Sequence, residues 1–250
     1  MVLALETRGL VKRFGGLVAT RDVSLQLPVG ARHALIGPNG AGKTTFVNQL
    51  TGVLTPSSGT ILLAGEDITR LKPEARVRRG IARTFQISQL FRSLTVAENL
   101  GIAVNEQRGT GYRAWTDFAH DREARREIEA LAHEFGLEAL LDARISELAY
   151  GRQRLVEIAL AFACRPRVLL LDEPAAGVPE AERDALLATI ARLPADVAIL
   201  LIEHDMDLVF SFADRISVLV NGAMLVEGPP DEVARDPQVK AVYLGEAADV

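Results

Sequence analysis

Short hydrophobic segments recur along the chain and predict the strands of an α/β protein. Leu3–Val11 and Asp22–Leu27 alternate apolar with polar residues, which indicates strands with one buried face. Continuous apolar segments, typical of a parallel sheet covered on both faces, are Ala34–Ile36, Val168–Leu171 and Val197–Ile202. The segment Lys12–Gly16 is predicted to break the first strand. Further strands are predicted at Thr60–Leu63, Ile81–Phe85 and Arg215–Val220, the last followed by a hairpin turn at Asn221-Gly222.

Helical patterns dominate the segment between Ile87 and Leu148. Thr95 and Glu98 have the spacing of a capping box, and a loop is expected at Asn105–Thr116. Helices are predicted at Pro73–Arg79, Asp121–Phe135, Arg152–Cys164, Pro179–Leu193 and, in the tail, from Asp231 through Leu244. We therefore expect one domain of 250 residues. It would consist of an α/β core of residues 1–86 and 155–228, a helical insertion of residues 87–154 and a tail of residues 229–250.

Composition narrows the possible classes of partner. The chain has 28 Lys and Arg against 33 Asp and Glu, a net charge of −5, so nucleic acid is not expected as its main ligand. The single cysteine, Cys164, rules out an intrachain disulfide. No apolar run approaches the about 20 residues of a membrane span, and the mixed charges of the N-terminus argue against a secretion signal. Any role at a membrane therefore requires a separate partner.

The segment Gly37–Thr45, GPNGAGKTT, fits the phosphate-binding pattern G-x-x-x-x-G-K-S/T. A predicted strand precedes it and a predicted helix follows it, so its backbone N–H groups converge at a helix N-terminus. Lys43 suits the β- and γ-phosphates, and the Thr44 hydroxyl suits Mg²⁺. The alternative is a chance glycine turn with a surface lysine. The predicted nucleotide-binding residues are Gly37, Pro38, Asn39, Gly40, Ala41, Gly42, Lys43, Thr44 and Thr45.

Four further polar residues follow predicted strands. Asp172 and Glu173 end the strand Val168–Leu171, where ligands bind in open α/β sheets, and would hold Mg²⁺ and activate water, respectively. His204 follows the next strand and could contact a γ-phosphate. Gln86 follows a third strand, and its amide could reach the metal or the water. The alternatives are a surface acidic pair and an ordinary loop histidine.

The segment Leu148–Arg154, LAYGRQR, opens a predicted helix, and a helix N-terminus attracts anions. With these motifs in order, nearly the whole chain resembles the ATP-binding subunits of ABC transporters. GPNGAGKT resembles the Walker A motif, LLLDEP Walker B, Gln86 the Q-loop, His204 the switch histidine and LAYGRQ the LSGGQ signature. Phe14 lies where that family places an aromatic residue that stacks on adenine; a core phenylalanine is the alternative.

Several strings resemble one branch of this family, the branched-chain (hydrophobic) amino acid uptake type. They are GIARTFQISQLFRSLTVAENL, the signature with Tyr150, DEPAAG and DPQVKAVYLG. The resemblance implies an ATPase that energises uptake through separate permeases, on a P-loop NTPase (RecA-like) core with an N-terminal antiparallel β subdomain and an inserted α-helical subdomain. Alternatives are a cassette of another transporter (urea or amides, or lipid export), a soluble ABC protein of translation or DNA repair, and a hydrolysis-impaired regulatory module.

The family resemblance also implies a mechanism and partners. Two cassettes, identical or sister subunits, would sandwich two ATP molecules head to tail at the cytoplasmic side of the inner membrane, with permeases and an extracytoplasmic binding protein as partners. Glu173, His204, Gln86 and Lys43 would be catalytic, and Mg²⁺ would be held by Thr44, Gln86 and Asp172. The opposing ATP would meet the signature residues Leu148, Ala149, Tyr150, Gly151 and Arg152.

Two residues depart from the family pattern, and one apolar pair has two interpretations. Ala149 stands where the signature has serine, which removes one hydroxyl donor to the opposing phosphate and predicts weaker closure of the dimer rather than loss of function. Pro179 stands where the family usually has Asp or Asn, which puts signalling across the dimer through that side chain in doubt. Leu90 and Phe91 would lie either near a permease or inside the helical subdomain.

Overall fold

The computed structural model describes residues 2–84, 90–109 and 121–246. The strands are β1 Leu3–Phe14, β2 Leu17–Pro28, β3 Arg32–Ile36, β4 Ser58–Leu63, β5 Glu66–Asp67, β6 Ile81–Arg83, β7 Val168–Asp172, β8 Ala198–Ile202, β9 Arg215–Val220 and β10 Ala223–Gly228. The helices are α1 Lys43–Thr51, α2 Pro73–Arg79, α3 Val96–Gln107, α4 Arg122–Glu134, α5 Tyr150–Ala163, α6 Glu180–Ala191, α7 Met206–Phe212, α8 Pro230–Arg235 and α9 Pro237–Glu246. Short 3₁₀ turns occur at Glu138–Leu140 and Ile145–Glu147.

The chain divides into two compact units. The first comprises Met1–Ile81, Arg167–Glu173 and Ala195–Val250, and the second comprises Ala82–Pro166 and Pro174–Pro194. The second unit contains more of the chain than the predicted insertion of residues 87–154, because it begins at Ala82, continues through α5 to Pro166 and includes α6. Within this unit the Gly151 N–H of α5 donates a hydrogen bond to the Glu182 carboxylate of α6. The C-terminal residues belong to the first unit.

An antiparallel sheet in the first unit has the strand order β2-β1-β4-β5. Strand β1 does not end at Val11 as predicted, because Lys12 pairs with Thr20 and Arg13 with Val18, and the strand continues to Phe14. The long partner strand β2 supplies these hydrogen bonds, and the turn falls at Gly15-Gly16, where Gly15 has φ +59°. This hairpin carries Phe14 at its end.

The second sheet has the strand order β10-β9-β3-β8-β7-β6. Strand β3 is parallel to both β8 and β9, and β7 is parallel to β8. Asn221 and Gly222 both have positive φ and join β9 to β10, which confirms the predicted hairpin. Since β3, β7 and β8 are parallel, the residues that follow their carboxyl ends meet at one edge of the sheet.

A continuous hydrophobic core lies beneath that edge. Phe46, Val47 and Leu50 of α1 are fully buried, as their helical spacing predicts, and pack with Leu35 of β3 and Leu200 of β8. Burying each such side chain contributes about 1.5–3 kcal/mol relative to exposure. The predicted single tail helix is two helices, α8 and α9, because Asp236 interrupts it and its carboxylate accepts hydrogen bonds from the first N–H groups of α9.

Arg76 anchors the end of α1 remote from the phosphate-binding loop. It lies in the predicted basic helix α2, yet only 1% of it is exposed. Its guanidinium donates hydrogen bonds to the carbonyl oxygens of Gln49 and Leu50, at 2.6 and 2.7 Å, and to those of Leu71 and Thr69. A cation at the carboxyl end of α1 complements the helix dipole. Burial lowers the pKa of Arg76 to about 10, so it remains charged at neutral pH.

His33 lies in β3, between β8 and β9 of the second sheet, and is fully buried. The Ser217 hydroxyl donates to a Glu227 oxygen at 2.9 Å, so it accepts a hydrogen bond from His33 Nε2–H at 2.8 Å. The other ring nitrogen, Nδ1, is buried without a hydrogen-bond partner. A charged imidazole would leave an N–H donor unsatisfied there. Burial, with a smaller contribution from Arg215, lowers the pKa of His33 to about 4, and Glu227 opposes this shift.

We expect His33 to make the fold sensitive to mild acid. The unfolded chain takes up a proton as the pH falls through 6.5, whereas the folded chain does so only near pH 4, so acid favours unfolding. Between pH 7.5 and pH 5.0 this difference should lower the free energy of unfolding by about 2 kcal/mol. Urea unfolding of wild type and His33→Gln at both pH values measures it, with the exposed His133→Gln as the control. Identical pH dependence in all three proteins would contradict the prediction.

The second unit is mainly helical. Thr95 and Glu98 exchange hydrogen bonds at the start of α3, which confirms the predicted capping box. Helix α3 continues to Gln107, so the first residues of the predicted loop at Asn105–Thr116 are helical, and residues 110–116 lie outside the described residues. Phe135 packs edge-on against Phe162 of α5, with ring centroids 5.7 Å apart. Helix α5 begins at Tyr150, two residues earlier than predicted, which places Gly151 in its first turn.

Candidate functional site

The phosphate-binding loop connects β3 to α1 and requires glycine at two positions. Gly37 has φ +150°, and a Cβ there would lie 2.1 Å from the Leu219 carbonyl oxygen. Gly42, with φ +101°, is the N-cap of α1, and a Cβ there would lie 2.4 Å from the Ala19 carbonyl oxygen. Gly40 also has positive φ, at +76°, but faces open space. The glycines therefore let the loop lie against neighbouring backbone with its N–H groups at the helix N-terminus.

Lys43 occupies the first turn of α1 and is folded back on the loop. Its ammonium group donates hydrogen bonds to the carbonyl oxygens of Gly37 and Pro38, the second at 3.1 Å. These contacts hold a positive charge at the mouth of the loop. A triphosphate bound there would replace neutral carbonyl acceptors with anionic oxygens, which form stronger charge-assisted hydrogen bonds.

Three of the predicted catalytic and metal residues lie at the carboxyl ends of β7 and β8. Asp172 ends β7 and is buried, and it pairs in register with Ile202 of β8. The Glu173 N–H donates to the Ile202 carbonyl oxygen at 2.9 Å, and Glu173 has φ +46°, a left-handed conformation uncommon for a non-glycine residue. His204 Nδ1 is 3.7 Å from Glu173 Oε1. The sheet thus brings Glu173 and His204 close together.

A second carboxylate beside His204 was not anticipated from the sequence. Glu203 is only 2% exposed, and its Oε2 accepts a hydrogen bond from the His204 backbone N–H at 3.0 Å. The same oxygen is 3.6 Å from His204 Nδ1. His204 Nδ1 therefore lies within 4 Å of two carboxylates, those of Glu173 and Glu203. The sequence Glu203-His204-Asp205 after a buried strand was the available signal for this arrangement.

Phe14 is not a core residue. It lies at the end of β1 and is 47% exposed, and the Lys12 ammonium is 5.2 Å from its ring centroid. An exposed aromatic face with an adjacent cation suits stacking on a planar base. The alternative of a buried phenylalanine is therefore wrong, and stacking on adenine stays a prediction.

The signature segment forms the start of α5 in the second unit. Ala149 is the N-cap and provides no side-chain hydrogen bond, and the Gly151 N–H donates to Glu182 Oε2 at 2.9 Å. Tyr150 is exposed, and its ring lies 5.2 Å from the guanidinium carbon of Arg154, which forms a buried 2.7 Å ion pair with Glu157. The Leu148 carbonyl accepts a hydrogen bond from Gln153, and Arg152 donates to the Gly136 carbonyl oxygen.

The remaining predicted residues are Gln86, the apolar pair Leu90 and Phe91, and the ligands of Mg²⁺. Gln86 lies outside the described residues. Leu90 is buried, as the packing interpretation predicts, whereas the adjacent Phe91 is 56% exposed and its backbone is held by the Asn99 side chain. Among the described residues no group of three His, Cys, Asp or Glu side chains is placed to hold a metal ion by itself. Thr44 and Asp172 carry a hydroxyl and a carboxylate, which are oxygen ligands of the kind that Mg²⁺ takes together with water and phosphate oxygens.

Known structures with this fold define its class. The chain superimposes with a TM-score of 0.85 on the crystal structure of a nucleotide-free ATP-binding cassette from an ABC transporter, at 30% identity over 97% of this chain and 99% of that one. A cassette in its ADP conformation gives a TM-score of 0.86, also at 30% identity, over 98% and 99% of the two chains. Together with the phosphate-binding loop, this fold defines an ATP-binding cassette with the α/β organisation expected from the sequence.

Sequence comparisons place the chain within that class. Residues 20–176 match the model of the ABC transporter family, and residues 223–249 match that of the branched-chain amino acid ATP-binding cassette transporter. The high-affinity branched-chain amino acid transport ATP-binding proteins BraF of Pseudomonas aeruginosa and LivG of Escherichia coli are 44% and 42% identical, each over 97% of this chain and 98% of the relative. The chain belongs to the ABC transporter ATP-binding proteins, in the branched-chain amino acid branch. It is an ABC-type transport ATPase.

Proposed function

We propose that this ATPase energises the uptake of branched-chain or other hydrophobic amino acids. The observation that carries the proposal is the shared edge of β3, β7 and β8, where the phosphate-binding loop, Asp172, Glu173 and His204 follow three parallel strands. Such an edge is built for the terminal phosphate of ATP. The assignment of the transported class rests on the 44% identity to BraF and on the match of the tail.

Each residue of the edge has a proposed role in hydrolysis. The loop Gly37–Thr45 and Lys43 bind the phosphates, and Phe14 stacks on adenine. Glu173 accepts a proton from the attacking water, while His204, whose Nδ1 lies 3.7 Å from Glu173 Oε1, donates a hydrogen bond to the terminal phosphate. Thr44, Asp172 and Gln86 would hold Mg²⁺, which would supply positive charge against the phosphates.

A second cassette completes the proposed site. The signature residues 148–152 of one cassette contact the ATP held by the other, so two ATP molecules are enclosed head to tail, either by two copies of this chain or by this chain and a sister subunit. The first-turn N–H groups of α5 supply donors for the opposing phosphate. No helix among residues 2–84, 90–109 and 121–246 is long and apolar enough to cross a bilayer. We place the cassette on separate permease subunits at the cytoplasmic face of the inner membrane, with the exposed Phe91 near them.

Purification from native membranes tests this function. The affinity-tagged chain should co-purify with permease subunits. In proteoliposomes that contain this complex, the binding protein loaded with leucine, isoleucine or valine should raise ATP hydrolysis severalfold. Lys43→Ala is the negative control, because it removes the charge that binds the phosphates. Stimulation by urea or acetamide instead would favour the amide-transporting alternative. Failure to hydrolyse ATP in a single turnover would favour the regulatory module.

A further inference from the structure

The first turn of α5 has no cap of its own. Its N-cap is Ala149, which has no side-chain oxygen to accept from the N–H groups of the helix start. The backbone N–H groups of Arg152 and Gln153 bond to the Ala149 carbonyl oxygen, at 3.0 and 3.1 Å. The Gly151 N–H points to a carboxylate of a different helix instead, Glu182 Oε2, at 2.9 Å. An external anion therefore fills the role that a serine at position 149 could have filled.

Glu182 lies in the first turn of α6, next to the start of α5. This helix also lacks a side-chain cap, because its N-cap is Pro179, and the Glu182 N–H bonds to the Pro179 carbonyl oxygen at 2.8 Å. The contact with α5 is close: a Cβ on Gly151 would lie 2.2 Å from Glu182 Oε2. Glycine at 151 is thus what allows the carboxylate to reach the backbone. The two positions that depart from the family pattern, 149 and 179, are the N-caps of the two helices that Glu182 joins.

The same N–H group has a second proposed partner. In the proposed dimer the Gly151 N–H faces the terminal phosphate of the ATP held by the other cassette. A carboxylate and a phosphate are both anions and both acceptors, so a single N–H cannot serve them together. Of the two arginines on α5, Arg152 donates to the Gly136 carbonyl oxygen and Arg154 is paired with Glu157 at 2.7 Å. Closure around ATP therefore requires Glu182 to leave Gly151.

We propose that Glu182 is a positioning residue that caps the signature helix in the open cassette and competes with the opposing ATP for the Gly151 N–H. In the open cassette the Glu182 carboxylate accepts the hydrogen bond that the terminal phosphate of the opposing ATP would accept. The strength of this contact therefore sets the ATP concentration at which two cassettes form the closed dimer. This inference rests on the proposed sandwich dimer. It adds a competitor built into the chain itself, on the helix that follows the Walker B loop.

The test compares two charge-removing substitutions in the Glu173→Gln background, in which closed dimers should accumulate. Glu182→Gln keeps an oxygen that can accept from Gly151 but removes the negative charge. Glu180→Gln is the matched control, because Glu180 lies in the same turn of α6, is exposed and loses the same charge. Sedimentation velocity at 0, 0.1 and 1 mM ATP measures the dimer dissociation constant at about 0.15 M salt. We expect Glu182→Gln to lower that constant about tenfold with ATP, equivalent to about 1.4 kcal/mol. Glu180→Gln should change it less than about twofold.

A second variant separates competition from stability. Glu182→Ala removes both the cap and the charge, so its melting temperature without nucleotide should fall while its ATP-dependent dimer still tightens. A purely structural role would weaken the dimer together with the fold. Unchanged or weaker ATP-dependent dimers in both Glu182 variants would overturn the inference while the dimer itself stands. A Glu173→Gln parent that never dimerises with ATP would overturn both the dimer and this inference.

Discussion

Glu173→Gln should reduce the rate of ATP hydrolysis about 100-fold or more while ATP still binds. Glutamine keeps the size of the side chain and the backbone hydrogen bond from residue 173 to the Ile202 carbonyl oxygen. It cannot accept a proton from water. The phosphate-binding loop and Lys43 are unchanged, so the dissociation constant of ATP should stay within about threefold of wild type. Single-turnover hydrolysis and equilibrium binding of a fluorescent ATP analogue measure the two quantities.

The control is Glu74→Gln, an exposed glutamate on α2 in the same unit. It changes the net charge equally and should leave both quantities unchanged. If Glu173→Gln retained more than about a tenth of the rate, another group would have to accept the proton. Among the described residues, Glu203 is the carboxylate to test next, because its Oε2 lies 3.6 Å from His204 Nδ1. Glu203→Gln would then be the variant that stops hydrolysis.

Gly42→Ala should destabilise the first unit by about 2–5 kcal/mol and abolish ATP binding. The added methyl group would lie 2.4 Å from the Ala19 carbonyl oxygen, and alanine would have to adopt φ +101°. Because Gly42 is the N-cap of α1, relief of the clash would displace the N–H groups at the helix start. Urea unfolding and nucleotide titration of the purified variant measure both effects.

Gly40→Ala is the matched comparison within the same loop. Its φ of +76° also disfavours alanine, but nothing lies within 4 Å of the added Cβ. We expect a loss of only about 1–2 kcal/mol from the backbone conformation, with ATP binding weakened far less than in Gly42→Ala. Equal losses in the two variants would show that backbone conformation, rather than the contact with Ala19, makes glycine necessary at position 42.

Local patterns were sufficient to predict most of the core strands. Val168–Leu171 and Val197–Ile202 are almost uniformly apolar, and both form buried parallel strands, β7 and β8. The capping box at Thr95 and the turn at Asn221-Gly222 were also predicted, because each depends on a few adjacent residues. The end of β1 was predicted wrongly. Lys12 and Arg13 are poor indicators of a strand by themselves, but hydrogen bonds to a 12-residue partner strand extend β1 through them.

The sequence predicted those parts of the candidate site that lie at the carboxyl ends of apolar strands. The glycine loop, Asp172, Glu173 and His204 each come directly after an apolar strand, and parallel strands end at one edge. The roles of these residues stay predictions. Glu203 was missed because its position after a buried strand does not by itself show that its carboxylate is also buried.

Short segments of the sequence were thus sufficient to predict the chemistry of this protein. They are a glycine loop that suits phosphate and carboxylates that follow apolar strands, and together these motifs indicate the family. Only the tertiary structure determined which charged side chains bond to the backbone of another helix. Arg76 looks like one more cation of a basic helix, yet it is buried against the end of α1. Glu182 looks like a solvated helix residue, yet it caps α5 across 31 positions of sequence. Such contacts join residues distant in the chain, and no local pattern encodes the distance between them.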